Sequence, residues 1–208
     1  MSADSLGLGA MFLPPDGAEA GWLVCRRLRR EDTAALYEAI LTSLDHLRPW
    51  MPWADSYTRE MAEDFVARHT SAPPSEPVTD THYVAADRTG RLLGLCGLHG
   101  RLGAGRLEIG YWVDARHTKR GVATLSAAML TERALELPGI DAVEIHHDEV
   151  NGVSGRVPAK LGFEHVATVK DEPEAPAESG VEWQWRLDKD AWPASPAKQL
   201  LDAARAAG

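Results

Sequence analysis

A mixed β-sheet with helices packed on both faces is the fold class that the sequence predicts. Three observations predict it. Segments of period-two alternation and segments of helical period succeed one another along the chain. Their order is strand, two helices, three strands, helix, strand, helix and two strands, which neither an all-helical bundle nor an all-β sandwich accommodates. At its centre, Arg106 to Leu137 reads as a strand feeding a short basic turn that opens directly into an amphipathic helix.

Composition bounds the rest. At 208 residues, of which 44% are hydrophobic, the chain suits one domain with a substantial core. The formal net charge of -9 argues against nucleic acid or an anionic membrane as partner and suits a cationic substrate. Cys25 and Cys96 are the only cysteines and belong to no C-x-x-C pair, so neither a disulfide framework nor a thiolate zinc site is indicated. The opening MSADSLGLGAMFLPPDG lacks a basic region followed by a sustained apolar one, and no apolar run reaches membrane-spanning length. The expectation is a cytoplasmic protein with a flexible leader over residues 1–20, a folded domain over 21–188 and a tail over 189–208.

In chain order, WLVCRRL (Trp22 to Leu28) alternates as a strand. RREDTAALYEAILTSLDHL follows as a helix, with Asp32 as its N-cap and Ala35, Leu36, Ala39, Ile40, Leu44 and Leu47 as its apolar stripe. The proline-broken RPWMPWAD presents Trp50, Met51 and Trp53, which either plug the edge of the core or wall a substrate pocket. Arg59 to His69 is a second helix. THYVAAD and RLLGLCGLH form a hairpin turned at Thr89-Gly90, and a glycine-containing turn leads to Arg106. After the central helix come a strand at Asp141 to His147, a short helix from Asn151, a strand at Phe163 to Lys170, an acidic loop DEPEAPAESG and a closing strand at Glu182 to Leu187.

The central unit carries the first chemical signal. Leu107, Ile109, Tyr111 and Val113 share one face of its strand, leaving Glu108, Gly110, Trp112 and Asp114 on the other. The first N–H groups of the helix after Gly121 have no intrahelical acceptor, which with the helix dipole makes an anion site. Lys119 and Arg120 sit just before that start, where cations are unfavourable unless an anion pairs with them. The turn is neither a P-loop nor a dinucleotide fingerprint.

Four pieces, CRRLRREDTAALYEAI with HLRPWMPWA after it, LEIGYWVDARHTKRGVAT, EIHHDEVNGVS and AKLGF, come in the order of a known family. They resemble the GNAT superfamily of acyl-CoA N-acyltransferases, and within it the RimJ/RimL branch. The resemblance implies the GNAT fold, in which two adjacent parallel strands splay so that the acyl-pantetheine arm slots between them. It implies acetyl-CoA as co-substrate, no metal and an amine acceptor, a protein N-terminus or a small molecule. In that family Q/R-x-x-G-x-G/A wraps the coenzyme pyrophosphate; here the positions are Thr118, Lys119, Arg120, Gly121, Val122 and Ala123, with Thr124 next. Thr118 departs from the pattern, removing one cation or amide.

By the same resemblance, main-chain groups of Trp112 and Val113 meet the pantetheine and the thioester carbonyl. Asn151 touches the pantetheine arm, and Ser154 protonates the leaving thiolate; both are also residue types that cap helices. Glu108 is the expected base, acting through water, with Asp171, Glu172 and Glu174 of the acidic loop as a second place for a base or for recognition of a cationic substrate. Trp50, Trp53 and Tyr111 are assigned to the acceptor. His146 and His147 are adjacent on one strand, point to opposite faces and so do not share an ion. The amine itself discriminates: an α-amine of pKa about 8 is partly neutral at pH 7, whereas a lysine amine near 10.4 is almost wholly charged. A chain without a strongly tuned carboxylate therefore fits α-amines better. The alternatives are a small-molecule acetyltransferase of the same fold, with an antibiotic, amino acid or aminoacyl nucleotide as acceptor, and an acyl-CoA sensor without turnover. The exposed aromatics and the tail leave room for a homodimer.

Overall fold

A computed structural model describes residues 15–71 and 77–207. The strands are β1 (Gly17–Ala20), β2 (Leu23–Arg27), β3 (Asp80–Asp87), β4 (Leu92–His99), β5 (Arg106–Val113), β6 (Ala142–Asp148), β7 (Glu164–Lys170) and β8 (Val181–Asp188). They form one sheet in the order β1-β2-β3-β4-β5-β6-β8-β7. Every neighbouring pair is antiparallel except β5 and β6. The helices are α1 (Thr33–Leu41), α2 (Leu44–Leu47), α3 (Arg59–His69), α4 (Val122–Leu135), α5 (Gly152–Leu161) and α6 (Pro196–Ala206). None is long and apolar enough to cross a membrane among the described residues.

The sheet alternation sorts two cores. On one face Leu23, Tyr83, Leu98, Leu107, Ile109, Val143 and Ile145 pack with Met129 and Leu130 of α4, Leu161 of α5 and Leu201 of α6. On the other, Val84, Ala86 and Leu95 pack with Leu36, Ile40, Leu47 and Val66 of α1 to α3. Each such leucine or isoleucine contributes about 1.5–3 kcal/mol by burial. The placement of Leu107 and Ile109 on the α4 face turns Glu108 and Trp112 toward α1 to α3.

Expectations for the leader and for the first helix change. Of the supposed leader, Gly17–Ala20 is a strand on β2, while residues 1–14 lie outside those described. The expected helix from Arg29 to Leu47 breaks at Thr42-Ser43, because the buried Ser43 hydroxyl accepts the Ala115 N–H at 2.9 Å, anchoring the segment before the basic turn. Asp32 does not cap α1 either: its carboxylate pairs with Arg26 at 2.6 and 2.7 Å, and Ala35 is exposed. Within residues 189–208, α6 carries a fully buried Leu201, and its Arg205 pairs with Glu132 of α4 at 2.6 Å.

Candidate active site

Strands β5 and β6 pair over only three positions, Arg106 with Ala142, Leu107 with Val143 and Glu108 with Glu144. Beyond them no pairing joins the strands, although β5 runs to Val113 and β6 to Asp148. The main-chain groups lining that cleft follow from the β4–β5 register. Asp114 donates to Leu93 on β4 at 2.9 Å, so by strand alternation Trp112 also bonds toward β4 while Tyr111 and Val113 present N–H and C=O groups to the cleft. The Trp112 carbonyl indeed lies against Gly94. Of the two expected main-chain contacts, Val113 faces the cleft, and its companion there is Tyr111 instead of Trp112. The Trp112 side chain lines the cavity on the α1–α3 face.

The basic turn is built from Asp114. Its carboxylate is fully buried, accepts from the Arg116 backbone at 2.9 Å and holds the Arg116 guanidinium at 2.6 Å. Burial works against that carboxylate, but the Arg116 bonds win and hold it below the usual carboxylate range. Lys119 at φ 60° and Gly121 at φ 83° then turn the chain into α4, with Gly121 as N-cap. The left-handed conformation suits glycine at little cost. Among the described residues, no protein acceptor receives the N–H groups of Arg120 to Thr124; the first helical bond is Leu125 N–H to the Gly121 carbonyl at 2.9 Å. The side chains differ in disposition. Thr118 donates its hydroxyl back to Ala115 at 3.3 Å, Arg120 lies 5.9 Å over the Trp22 ring and bonds His117, and Lys119 is exposed.

A cavity of about 660 Å³ runs from Asn151, Ser154 and Tyr111 across the α1–α3 face to Trp50, Met51, Trp53, Tyr57 and Phe65. Asn151 caps α5 by accepting the Ser154 N–H at 3.2 Å. Ser154 is therefore the capped residue, and its hydroxyl instead lies 3.3 Å from that of Tyr111, which also donates to the Ser154 carbonyl at 3.1 Å. Burial raises the Tyr111 pKa above the usual phenol range, keeping the hydroxyl protonated.

Glu108 faces the cavity and is buried, but Arg101 grips both of its oxygens, one at 2.6 Å. The residue opposite it, Glu144, is 1% exposed and collects Arg106 at 3.1 Å, Arg186 at 2.7 Å and His146 at 2.8 Å. Burial opposes ionisation of Glu144, yet these three partners bring its pKa down to about 2. The two ring nitrogens of His146 meet Glu144 and Glu182, the latter at 3.3 Å; against the cost of burial, those carboxylates raise its pKa to about 9. His147 points the other way, donating to the Asp148 carbonyl at 2.7 Å and accepting from Trp185 at 2.9 Å. Among the described residues no group of three His, Cys, Asp or Glu side chains is arranged to hold a metal ion.

The acidic loop enters the site differently from expectation. Asp171, Glu172 and Glu174 are exposed and do not line the cavity; Glu178 does, while its carboxylate accepts the N–H groups of Glu174 at 2.7 Å and Ala175 at 3.0 Å. Ala177 donates to the Pro49 carbonyl at 2.9 Å, which ties this loop to the Trp50-to-Trp53 segment. Asp148 fixes its far end through Ser179 at 2.7 Å and Gly180 at 3.1 Å. Sequence reading missed Arg101, Glu182 and the histidines of β3 and β4; only the alternation of β5 pointed to the face they share.

A family model described as an acetyltransferase (GNAT) domain matches residues 23–164. Among solved structures, this chain is similar to Mycobacterium smegmatis RimJ in complex with CoA-disulfide, at 21% identity and TM-score 0.75, covering 96% of this chain and 97% of that one. It is similar to RimL, a ribosomal L7/L12 alpha-N-protein acetyltransferase in complex with coenzyme A, at 16% identity and TM-score 0.73, covering 88% and 99%. It is also similar to the microcin C7 self-immunity acetyltransferase MccE in complex with acetyl-CoA and AMP, at 14% identity and TM-score 0.73, covering 85% and 98%. No curated protein matches by sequence.

Proposed function

The chain belongs to the GNAT family of acetyl-CoA-dependent N-acetyltransferases, and from that premise we propose that it acetylates a protein N-terminal α-amine by direct attack within a ternary complex. The observation that carries this reading is the combination of a cleft between β5 and β6 with unpartnered amides from Arg120 to Thr124. The amides of Gly121, Val122, Ala123 and Thr124 hold the diphosphate, with Thr118 shaping the turn and Lys119 and Arg120 offsetting its charge. Main-chain groups of Tyr111 and Val113 bond the pantetheine arm as a strand would, with Asn151 at its side. Held together, amine and thioester gain most of their rate from positioning.

The acceptor enters between Trp50, Met51, Trp53 and the carboxylates of Glu108, Glu182, Asp148 and Glu178, which line one cavity. Negative potential there draws a cationic amine, in keeping with the chain's net charge of -9. Glu108, clamped by Arg101, orients the incoming ammonium through water. Departure of the thiolate needs a proton, and the Tyr111–Ser154 hydroxyl pair supplies it. The similarity to RimL, a ribosomal L7/L12 alpha-N-protein acetyltransferase, supports a protein acceptor. A small acceptor is the second reading, favoured by the bond from Ala177 to Pro49, which joins the acidic loop to the Trp50-to-Trp53 segment of the cavity lining.

A screen of thiol release from acetyl-CoA, with peptides differing at their first residue and with free amino acids and amino sugars, decides between them. Turnover confined to peptides supports the N-terminal reading; turnover confined to small amines replaces it. In the same assay Tyr111→Phe and Ser154→Ala are each expected to lower kcat by about 10²-fold without changing acetyl-CoA affinity. Wild-type turnover in both variants removes the hydroxyl pair from the proton path.

A further inference from the structure

The α1–α3 face of the sheet holds a row of ionisable side chains to which the scheme above gives no task. His69 of α3, His82 of β3 and His99 of β4 pack edge-to-face in sequence, with ring centroids 4.2 and 5.4 Å apart. At the end of the row, His99 Nδ1 lies 2.7 Å from Asp80 Oδ1. The hydrogen bond to His99 holds Asp80 below the usual carboxylate range, so Asp80 is the ionised acceptor and Nδ1 carries the proton. In the neutral ring the lone pair then falls on Nε2, which has no protein partner among the described residues.

The direction of that nitrogen is set by two glycines. Gly97 and Gly110 are cross-strand partners on β4 and β5. A β-carbon at Gly97 would lie 2.9 Å from His99 Nε2, and one at Gly110 would lie 3.1 Å away. The ring rests on floor that any larger residue would fill, next to Tyr111 in sequence and inside the same cavity. His99 is also the cross-strand partner of Glu108.

The neighbouring histidines and Glu108 are less suited to proton transfer. Glu108 has both oxygens on Arg101, and His146 has a carboxylate on each nitrogen. His147 is bonded at both nitrogens, and burial, reinforced by His69 and His99, drives the His82 pKa down to about 3. His99 combines an open nitrogen with an ionised carboxylate behind it, the arrangement that makes imidazole an effective base.

We propose that His99, oriented by Asp80, is the catalytic base that takes the proton from the attacking amine, an assignment that rests on the transferase reading. The nitrogen–carbon bond forms and the carbon–sulfur bond breaks. The amine proton passes to His99 Nε2, and the thiolate takes a proton from the Tyr111–Ser154 pair. The imidazolium then gives its proton to solvent, and solvent reprotonates the hydroxyl pair. Asp80 keeps its hydrogen bond throughout and stabilises the imidazolium.

The groups around the ring are Arg68 and His69 from α3, Asp80 and His82 from β3, Arg101 from the β4–β5 turn and Glu108 from β5. The test measures kcat against pH for wild type, His99→Gln, His99→Ala and Asp80→Asn with one active amine, together with acetyl-CoA affinity and melting temperature. His99→Gln is expected to lower kcat by about 10²-fold and to abolish the acidic limb, with acetyl-CoA affinity unchanged. Asp80→Asn gives a smaller loss, and added imidazole restores turnover to His99→Ala. A His99→Gln enzyme within about threefold of wild type, with the acidic limb intact, overturns the assignment while leaving the transferase reading in place. A wild-type protein that binds acetyl-CoA yet releases no thiol with any amine overturns both.

Discussion

Replacing Ala123 by proline is expected to weaken acetyl-CoA binding by about 10- to 100-fold and to change the melting temperature of the ligand-free protein by no more than a few degrees. The Ala123 N–H lies in the first turn of α4 and has no protein acceptor among the described residues, so its loss breaks no bond of the helix. Proline is tolerated in a first turn for that reason. The same N–H bonded to a diphosphate oxygen is a hydrogen bond to a charged group, worth about 1.5–3 kcal/mol, and each 1.4 kcal/mol is tenfold in affinity. Titration calorimetry on both proteins reads the difference. Equal affinity would mean that the diphosphate is held elsewhere.

The second large effect falls on stability. Glu108 and Glu144 face each other across the last paired positions of β5 and β6, where like charges repel unless each is supplied with cations. Arg101 serves Glu108; Arg106, Arg186 and His146 serve Glu144. Glu144→Ala leaves those three cations without their shared partner. Breaking a buried pair costs about 3–5 kcal/mol, and because Arg106 and Arg186 are 40% and 33% exposed the lower end applies. For a chain of this size, about 3 kcal/mol is a fall of roughly 6–12 °C in melting temperature. A fall of under about 2 °C would mean that water screens the network.

The same network predicts how stability varies with pH. The Glu144 pKa is depressed from 4.5 to about 2, so its contribution is full above pH 4.5 and is lost as pH falls through about 2. The His146 pKa is raised from 6.5 to about 9, so its contribution is full below pH 6.5 and is lost as pH rises through about 9. The melting temperature should decline between neutral pH and pH 9, and His146→Gln should remove that part of the decline. A wild-type curve flat across this range would show that His146 is not charged in the fold.

What the sequence made legible was whatever depended on local period. The alternation of β5 placed Leu107 and Ile109 in one core and Glu108 on the opposite face, and the apolar spacing after Gly121 located α4 together with its unpartnered amides. The bounds of α3 were likewise readable. What stayed hidden depended on partners distant in the chain. Nothing local to RREDTAALYEAILTSLDHL says that Ser43 will bond Ala115, so the helix break could not be read. The peptide orientation that gives the cleft to Tyr111 and Val113 follows from a register with β4 known only once the strands are paired. Arg101 reaches Glu108 from a glycine-containing turn without periodicity, and Asp80 meets His99 across a hairpin. The acidic loop was open to two readings, a base or a cationic-substrate contact, and its one cavity-lining glutamate, Glu178, is occupied in holding the loop's own backbone.

The most direct test is a crystal structure of the protein with coenzyme A bound. The diphosphate oxygens should lie about 2.7–3.2 Å from the backbone nitrogens between Arg120 and Thr124. The pantetheine arm should run between β5 and β6, bonded to main-chain groups of Tyr111 and Val113. A diphosphate seated away from the start of α4, or a β5–β6 ladder continued past Glu108 and Glu144 with the arm outside it, would contradict the account.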